Sequence, residues 1–172
     1  HQAEELGSLS HNRVLCLHED RSGVLWIGTA GGLNRFDRQT QTFRRYTEKE
    51  GLPNNTIAGI LEDEQGRLWL STGKGLSRFH PRTGQFSNYT VRDGLQSYEF
   101  HAGAYLQARD GRMFFGGVNG FNAFYPDQIA ENSHIPPLAL TDFRLLNTPA
   151  TPAEEGSPLQ RSLLETEDIV LS

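Results

Sequence analysis

The feature that most constrains the fold is a repeat of 43 to 45 residues that fills most of the chain. Its three units begin at Leu9, Leu52 and Leu95. In each unit a turn glycine is followed three positions later by an aromatic residue, and the pairs are Gly23 and Trp26, Gly66 and Trp69, and Gly111 and Phe114. A unit of such a repeat buries its apolar surface against its neighbours, so the period decides the architecture.

Each unit divides into short strands separated by turns. Residues 14–18 and 57–61 carry apolar side chains on both alternating faces, as an inner strand covered on both sides does. A tight turn that ends on a glycine follows, because glycine adopts the positive φ that a hairpin turn needs. The remaining predicted strands are 25–29, 33–37 and 42–46 in the first unit, 68–72, 76–80 and 85–89 in the second, and 113–117 and 121–125 in the third.

Four short antiparallel strands at this period are typical of a β-propeller blade. Since no segment has a sustained 3.6-residue apolar period, helix should be nearly absent. We therefore predict an all-β fold, a partial β-propeller with three blades of four-stranded antiparallel sheets. The last blade should have only three strands of its own, because nothing after Pro126 matches the fourth strand of the other units.

The predicted boundaries follow from the repeat. Residues 1–8 form a leader, 9–51 the first repeat, 52–94 the second and 95–135 the terminal repeat. Residues 136–172 read as the truncated start of a β-sandwich-like domain, in which 138–146 is the clearest strand. Two or three strands cannot bury a core alone, so this segment is incomplete by itself.

Charge and composition exclude several classes of protein. The 16 basic and 21 acidic residues give a net charge of −5; the last 20 residues hold five acids and one base, which leaves 15 bases and 16 acids in the first 152. A nucleic-acid partner is therefore not expected, because phosphate binding needs a basic surface. The single cysteine, Cys16, rules out an intrachain disulfide. No apolar run reaches the eighteen or so residues of a membrane span.

Candidate catalytic and metal-binding residues all have a structural interpretation. The acidic run at 62–64 adjoins a hairpin glycine, and we interpret it as solvated turn residues. Neither the six histidines nor Gly73-Lys74-Gly75 has the spacing of a metal site or of a phosphate-binding loop. His18 and Cys16 align with small or apolar residues and should lie in or beside the blade core. We predict no catalytic residue, no metal site and no cofactor.

The repeated aromatic residues and the loops lead to different expectations. Since Trp26, Trp69 and Phe114 occupy one blade position, we expect them to pack between blades and not to stack on a sugar. A ligand surface should lie on loops, which a rigid repeat scaffold leaves free to vary. The turn between the second and third strands and the connection between blades share one face of a propeller. In this chain they carry the candidate ligand-binding residues Lys74, Arg92, Asp93 and Asn119.

The repeat resembles the two-component regulator propeller repeat of large bacterial membrane receptors. The matching motifs are D-x-x-G-x-L-W-I-G-T at 20–29, its counterpart at 63–72, and G-L-N-R-F at 32–36. The third unit, with F-G-G-V-N-G-F-N at 115–122, is similar to the variant that ends such a propeller. P-P at 136–137 and L-T-D-F at 140–143 resemble the start of the immunoglobulin-like domain, named for three tyrosines, that follows the propeller in this family.

The resemblance implies a fragment of the periplasmic sensor region of an inner-membrane receptor, without enzymatic activity of its own. The attached output is commonly a histidine kinase and less often a diguanylate cyclase, and the ligand is typically a carbohydrate fragment or another small polar molecule. The alternatives are a fragment of a propeller enzyme, such as a glycosidase or lyase, and a plain protein-interaction scaffold. Because three blades leave open faces and edges, we expect the chain to self-associate as a symmetric dimer.

Overall fold

The computed structural model of the chain describes residues 7–129, 144–145 and 148–149. Within residues 7–129 the strands form three antiparallel sheets, one for each repeat. Blade 1 contains β1 (Val14–Glu19), β2 (Leu25–Thr29), β3 (Gly32–Asp37) and β4 (Thr42–Tyr46). Blade 2 contains β5 (Ile57–Glu62), β6 (Leu68–Thr72), β7 (Gly75–His80) and β8 (Gln85–Tyr89). Blade 3 contains β9 (Phe100–Gln107), β10 (Met113–Gly117) and β11 (Gly120–Phe124).

The all-β fold and the three blades confirm the prediction, and so does the three-stranded sheet of blade 3. Strand order within each sheet follows the chain, so every connection inside a blade is a hairpin. The hairpin glycines Gly23, Gly66 and Gly111 have φ of 82°, 74° and 85°, a region of backbone conformation that residues with a Cβ rarely adopt. The glycine turns thus set the register on which the repeat depends.

The third strand of each blade begins one residue earlier than predicted. Each begins at the glycine that ends the preceding turn, because that glycine already pairs across the hairpin, as Thr29 does with Gly32. The last of these strands ends at Phe124, one residue before the predicted end. Tyr125 precedes Pro126, which opens a short 3₁₀ turn at Pro126–Gln128.

Two further 3₁₀ turns connect the blades, at Glu48–Glu50 and Val91–Asp93. In the first, Thr47 caps the turn and the Glu50 carboxylate accepts the Thr47 N–H at 2.6 Å. Thr90 and Asp93 repeat this capping box in the second turn. A glycine in the left-handed conformation ends each one, so the same local chemistry turns the chain from one blade to the next.

The core lies between the sheets. Strand β5 packs between β1 and β9, which places the inner strands side by side. Blade 2 is covered on both faces, and all but one residue of β5 are buried. The inner strands of blades 1 and 3 are largely exposed, because each has a neighbouring sheet on one side only within the described residues. The prediction of doubly covered inner strands is therefore correct for β5 and wrong for β1.

The chain divides into two compact units, residues 1–130 and 131–172. In the second unit the structure describes β12 (Arg144–Leu145) and β13 (Thr148–Pro149), which pair antiparallel. The predicted strand 138–146 lies outside the described residues apart from Arg144 and Leu145, and so does the segment that resembles an immunoglobulin-like domain. None of the helices in the described ranges has the length and apolar character needed to cross a membrane.

Candidate ligand-binding face

The loops that carry the four candidate residues are held together by one segment, residues 95–98, at the start of blade 3. The Gly75 N–H, at the end of the β6–β7 turn, donates to the Tyr98 carbonyl at 2.6 Å. The Asn119 N–H, in the β10–β11 turn, donates to the Gln96 side chain at 2.8 Å. The Leu95 N–H donates to Thr90, which caps the 3₁₀ turn between blades 2 and 3. These bonds bring the turns of blades 2 and 3 to the same segment of the chain.

The charged side chains of Lys74 and Arg92 are exposed to solvent on turns whose backbone is hydrogen-bonded. The Lys74 N–H donates to the Thr72 hydroxyl at 3.0 Å, and that hydroxyl donates to the Gly75 carbonyl. Arg92 lies inside the capped turn between blades 2 and 3. Both residues are exposed, and neither side chain forms a hydrogen bond or an ion pair with a described residue. Their cationic groups are therefore available for a carboxylate, sulfate or hydroxyl of a ligand.

Asp93 and Asn119 have structural partners. The Asp93 carboxylate accepts from the N–H and the hydroxyl of Thr90, at 2.8 and 3.2 Å. The Asn119 side-chain amide donates to the Gln96 carbonyl at 3.4 Å. These two side chains therefore hold the loops in place, and the hypothesis of direct ligand contact depends mainly on the two cations.

Two clefts lie between blades 2 and 3, at different positions. One, of about 190 Å³, has Asp93 at its rim and an aromatic wall that includes Tyr89 and Phe124. This volume is below the usual range for drug-sized ligands, so the cleft would admit a group of monosaccharide size at most. The other, of about 90 Å³, is acidic and adjoins the β5–β6 turn, with Asp110 and Asp127 among its lining residues.

The structure corrects the interpretation of residues 62–64 as solvated turn residues. Glu64 is exposed as predicted, but Glu62 and Asp63 are buried, the latter to 1% exposure. The Asp63 carboxylate accepts hydrogen bonds from four N–H groups, those of the Gln65 and Arg67 backbone, the Arg67 guanidinium and the Trp69 indole. Burying a carboxylate costs free energy unless hydrogen-bond donors satisfy its oxygens, as these four N–H groups do. Asp63 is therefore a structural residue of the hairpin.

Asp20 makes the equivalent arrangement in blade 1. Its carboxylate accepts the indole N–H of Trp26 at 2.7 Å and the backbone N–H groups of Ser22 and Val24 at 2.9 Å. Burial raises the pKa of Asp20, but hydrogen bonds from Ser22, Trp26 and Val24 outweigh that effect and lower the pKa below its usual value. The ionised carboxylate is thus the form that the hairpin stabilises.

Cys16 and His18 lie at the contact between blades 1 and 2. The Cys16 thiol donates to the Ile57 carbonyl at 3.6 Å, and burial raises the pKa of the thiol to about 12 despite a hydrogen bond from Gly28. Such a thiol is a poor nucleophile. His18 Nε2 lies 3.7 Å from the Glu62 carboxylate, which also accepts the Arg21 N–H. Among the described residues, no cluster of three histidine, cysteine or carboxylate side chains has the arrangement of a metal site.

The repeated aromatic residues pack between blades, as predicted, where a neighbouring blade is present. Trp26 contacts Phe79 of blade 2 with ring centroids 5.6 Å apart, and Trp69 contacts Phe124 of blade 3 at 4.8 Å. Both tryptophans are fully buried. Phe114, in blade 3, is only partly buried and contacts Phe121 of its own sheet.

Sequence reasoning missed one set of polar residues that joins each blade to its incoming chain. Asn34 accepts the Ser10 N–H at 2.8 Å, and Asn122 accepts the Gln96 N–H at 3.0 Å. In blade 2 the residue that corresponds to Ser10 is Pro53, which has no N–H, and Ser77 stands where the other blades have asparagine. Comparing the positions of Ser10 and Asn34 together across the three repeats would have revealed this hydrogen-bonded pairing.

Comparison with known proteins was made for sequence and for structure. The family described as two component regulator propeller matches residues 8–31 and 51–74. None of the curated proteins compared with the chain matches it.

The structural comparison finds propellers of several kinds. The extracellular domain of a hybrid two component system from B. thetaiotaomicron is 27% identical, with a TM-score of 0.68 over 83% of this chain and 21% of that one. PorZ, a surface component of the type-IX secretion system of Porphyromonas gingivalis, is 19% identical, with a TM-score of 0.56 over 68% of this chain and 18% of that one. Virginiamycin B lyase from Staphylococcus aureus is 18% identical, with a TM-score of 0.49 over 70% of this chain and 44% of that one.

These likenesses differ in what they support. PorZ shows the fold alone, and the lyase carries no argument about function. The chain spans about a fifth of the length of the B. thetaiotaomicron domain. The family match agrees with the motifs at 20–29 and 63–72 and with the hairpins that they form. The two component regulator propeller model therefore matches the first two strands of blade 1 and of blade 2.

Proposed function

We propose that the chain is part of the extracytoplasmic sensor region of a bacterial two component receptor. In this role it is a non-enzymatic module that binds a small polar ligand and transmits the signal to an attached output domain. The observation that carries the proposal is the likeness to the extracellular domain of a hybrid two component system, at 27% identity and a TM-score of 0.68. The parent receptor is then anchored in the inner membrane, with these blades in the periplasm and a histidine kinase as its output.

The genomic sequence after residue 172 tests the receptor assignment directly. We expect the remainder of an immunoglobulin-like domain, a membrane span and a histidine kinase, or less often a diguanylate cyclase. A reading frame without a span or an output domain would count against the proposal. It would favour a propeller enzyme or an interaction scaffold instead.

The ligand that best fits the candidate face is a sugar fragment with an anionic group. Lys74 and Arg92 supply two exposed cations on loops that the 95–98 segment holds in place, and Asp93 borders a cleft of monosaccharide size. Cations of this kind bind carboxylates and sulfates through charge-assisted hydrogen bonds. Ligand binding there would bias the arrangement of the blades and so the state of the attached domain.

A calorimetric titration of the 172-residue chain tests the ligand proposal. The panel pairs neutral oligosaccharides with oligosaccharides that carry a uronic acid, and we expect binding of the acidic set. Lys74→Ala and Arg92→Ala should each raise the Kd about tenfold, the effect of losing one charge-assisted hydrogen bond. Arg82→Ala is the matched control, since Arg82 is exposed on the β7–β8 turn at the other end of the sheet. Equal affinity for all three variants would refute the assignment of this face.

A further inference from the structure

In blades 1 and 2, a threonine at the end of the second strand fixes the turn that follows it. The Thr72 hydroxyl accepts the Lys74 N–H at 3.0 Å and donates to the Gly75 carbonyl at 2.8 Å. Thr29 makes the same two bonds in blade 1, each at 3.0 Å. Both threonines are fully buried. One hydroxyl of the strand therefore holds each of these two turns.

Blade 3 has no side chain at this position, because Gly117 stands where the other blades have threonine. A Cβ at Gly117 would collide with the backbone carbonyl of Glu99 and with the side-chain amide of Gln96. A backbone carbonyl cannot move aside as the end of a flexible side chain can, so a threonine does not fit here. The β10–β11 turn therefore needs an acceptor from elsewhere in the chain.

Gln96 supplies that acceptor. Its Oε1 atom accepts the Asn119 N–H at 2.8 Å, and Asn119 stands at the repeat position of Lys74. Its Nε2 atom is buried against Gly117 and forms no hydrogen bond with the described residues. The Gln96 side chain therefore occupies the space of the absent threonine and replaces one of the two bonds that a threonine makes.

The three blades differ in how far the incoming chain supports this turn. The position of Gln96 is Ser10 in blade 1 and Pro53 in blade 2. Pro53 has neither an N–H nor a polar side chain, so it cannot bond to the turn of blade 2. The Ser10 hydroxyl bonds to the Thr29 hydroxyl at 2.8 Å, which adds support to a threonine that is already present. In blade 3 the incoming chain provides the acceptor itself.

The position of Gln96 depends in turn on the connection between blades 2 and 3. The Gln96 N–H donates to the Asn122 side chain at 3.0 Å, and the Asn122 amide donates to the Gly94 carbonyl at 3.2 Å. Gly94 ends the 3₁₀ turn of this connection, and the Leu95 N–H donates to the carbonyl of the capping residue Thr90. Hydrogen bonds thus lead from the capped turn to Gln96 and from Gln96 to the β10–β11 turn.

We propose that Gln96 is a positioning residue that couples the β10–β11 turn to the connection between blades 2 and 3. Displacement of the connection moves the acceptor of the Asn119 N–H, whereas the turns of blades 1 and 2 keep the threonine acceptors of their own strands. A ligand that contacts the β10–β11 turn then acts on the junction of two blades. That consequence rests on the function proposed above, but the coupling itself does not.

Amide hydrogen exchange measured by NMR on the 172-residue chain without ligand tests the role of Gln96. Gln96→Met keeps the length of the side chain and removes the acceptor, so exchange of the Asn119 amide should become about fivefold faster relative to that of Lys74. Gln96→Glu keeps an oxygen within reach and should retain most of the protection. Thr72→Val is the matched control in blade 2, and it should accelerate Lys74 but leave Asn119 unchanged.

Three results of this experiment would overturn the proposal. Unchanged Asn119 exchange in Gln96→Met would show that the bond does not hold the turn. Equal acceleration of Asn119 in the Met and Glu variants would show that the acceptor oxygen is not the cause. Equal acceleration of Lys74 and Asn119 by Gln96→Met would show a general loosening of the fold.

A double-mutant comparison tests the coupling to the connection. Thr90→Ala removes the cap of the 3₁₀ turn and should make Asn119 exchange about twofold faster or more, but should add nothing in the Gln96→Met chain. Thr47→Ala is the control, because it removes the same cap from the connection between blades 1 and 2 and should leave Asn119 unchanged. If Thr90→Ala has no effect on Asn119, or the same effect with and without the Gln96 acceptor, the coupling does not exist.

Discussion

At the scale of single residues, the repeat preserves hydrogen-bonded pairs and not individual side chains. Asp63 and Trp69 form a pair in blade 2, as Asp20 and Trp26 do in blade 1. In blade 3 the corresponding residues are Ala108 and Phe114, so both members change together. Without its acceptor a buried indole N–H would be left unsatisfied, and without the indole the Asp63 carboxylate would lose one of its four donors. Loss of the carboxylate therefore favours loss of the indole as well.

Removing the buried carboxylate tests this account. We expect Asp63→Ala to lower the free energy of unfolding by about 2 to 4 kcal/mol, because four N–H groups lose their acceptor. Urea denaturation measures the loss. Trp69→Phe should lower the free energy of unfolding less in the Asp63→Ala variant than in the unaltered chain, since the indole N–H has already lost its acceptor there. Glu64→Ala, at an exposed carboxylate of the same hairpin, is the control and should leave the urea midpoint nearly unchanged. Strictly additive losses would contradict the coupling.

At the scale of strands and turns, the hairpins depend on a balance of size across the inner strand pair. Cys16 lies opposite Gly28 in blade 1, whereas Gly59 lies opposite Ser71 in blade 2. A Cβ at Gly28 would collide with the Cys16 sulfur and approach the Ile57 side chain at 2.8 Å. One member of each pair therefore has to be glycine, because the adjacent blade leaves no further room.

Exchanging the two sizes gives a prediction at this scale. Gly28→Ser should lower the free energy of unfolding by about 1 to 3 kcal/mol, because the added side chain forces an overpacked contact. Cys16→Gly in the same chain should recover part of that loss by removing the sulfur. The recovery should show as a coupling free energy of about 1 kcal/mol in a double-mutant cycle measured with urea. Gly84→Ser serves as the control: it adds a side chain where no atom lies within 4 Å, and Cys16→Gly should not rescue it. The absence of coupling at Gly28 would show that the crowding comes from elsewhere.

At the scale of the whole molecule, equivalent residues have different surroundings because blade 2 packs between two other blades, whereas blade 1 packs against one among the described residues. Ile60 and Leu17 stand at one repeat position and both follow the apolar pattern of an inner strand. Ile60 is 1% exposed between blades 1 and 2, whereas Leu17 is 61% exposed. The stability of a repeat array is a sum of units and of the contacts between them, so the central blade contributes more than its sequence alone suggests.

This difference predicts unequal effects of one substitution. Ile60→Ala should cost about 2 to 4 kcal/mol, since it opens a cavity between two sheets. Leu17→Ala should change the free energy of unfolding by less than about 0.5 kcal/mol, because the Leu17 side chain is 61% exposed. Thermal or urea denaturation of the two variants measures both values. Comparable losses in the two variants would mean that another part of the chain covers Leu17.

The repeat period and the glycine turns were sufficient to predict most of the fold. Strands 25–29, 42–46, 68–72, 85–89 and 113–117 begin and end where predicted. The candidate face was predicted less completely. Loop positions follow from the blade pattern, but the partners of Asp93 and Asn119 depend on contacts with Thr90 and Gln96 that no periodicity reveals. Burial of Asp63 was missed for the same reason, because an acidic residue next to a turn glycine is usually solvated.

The sequence by itself determined the three-blade architecture, the hairpin register and the position of the loops. These properties are local, since alternating apolar residues and positive-φ glycines act within one unit of the repeat. Tertiary structure alone decided which equivalent residues are buried and which polar groups are satisfied. Burial and hydrogen bonding depend on what the adjacent sheet places against a residue, and the residues of one repeat cannot specify the presence or absence of that neighbour.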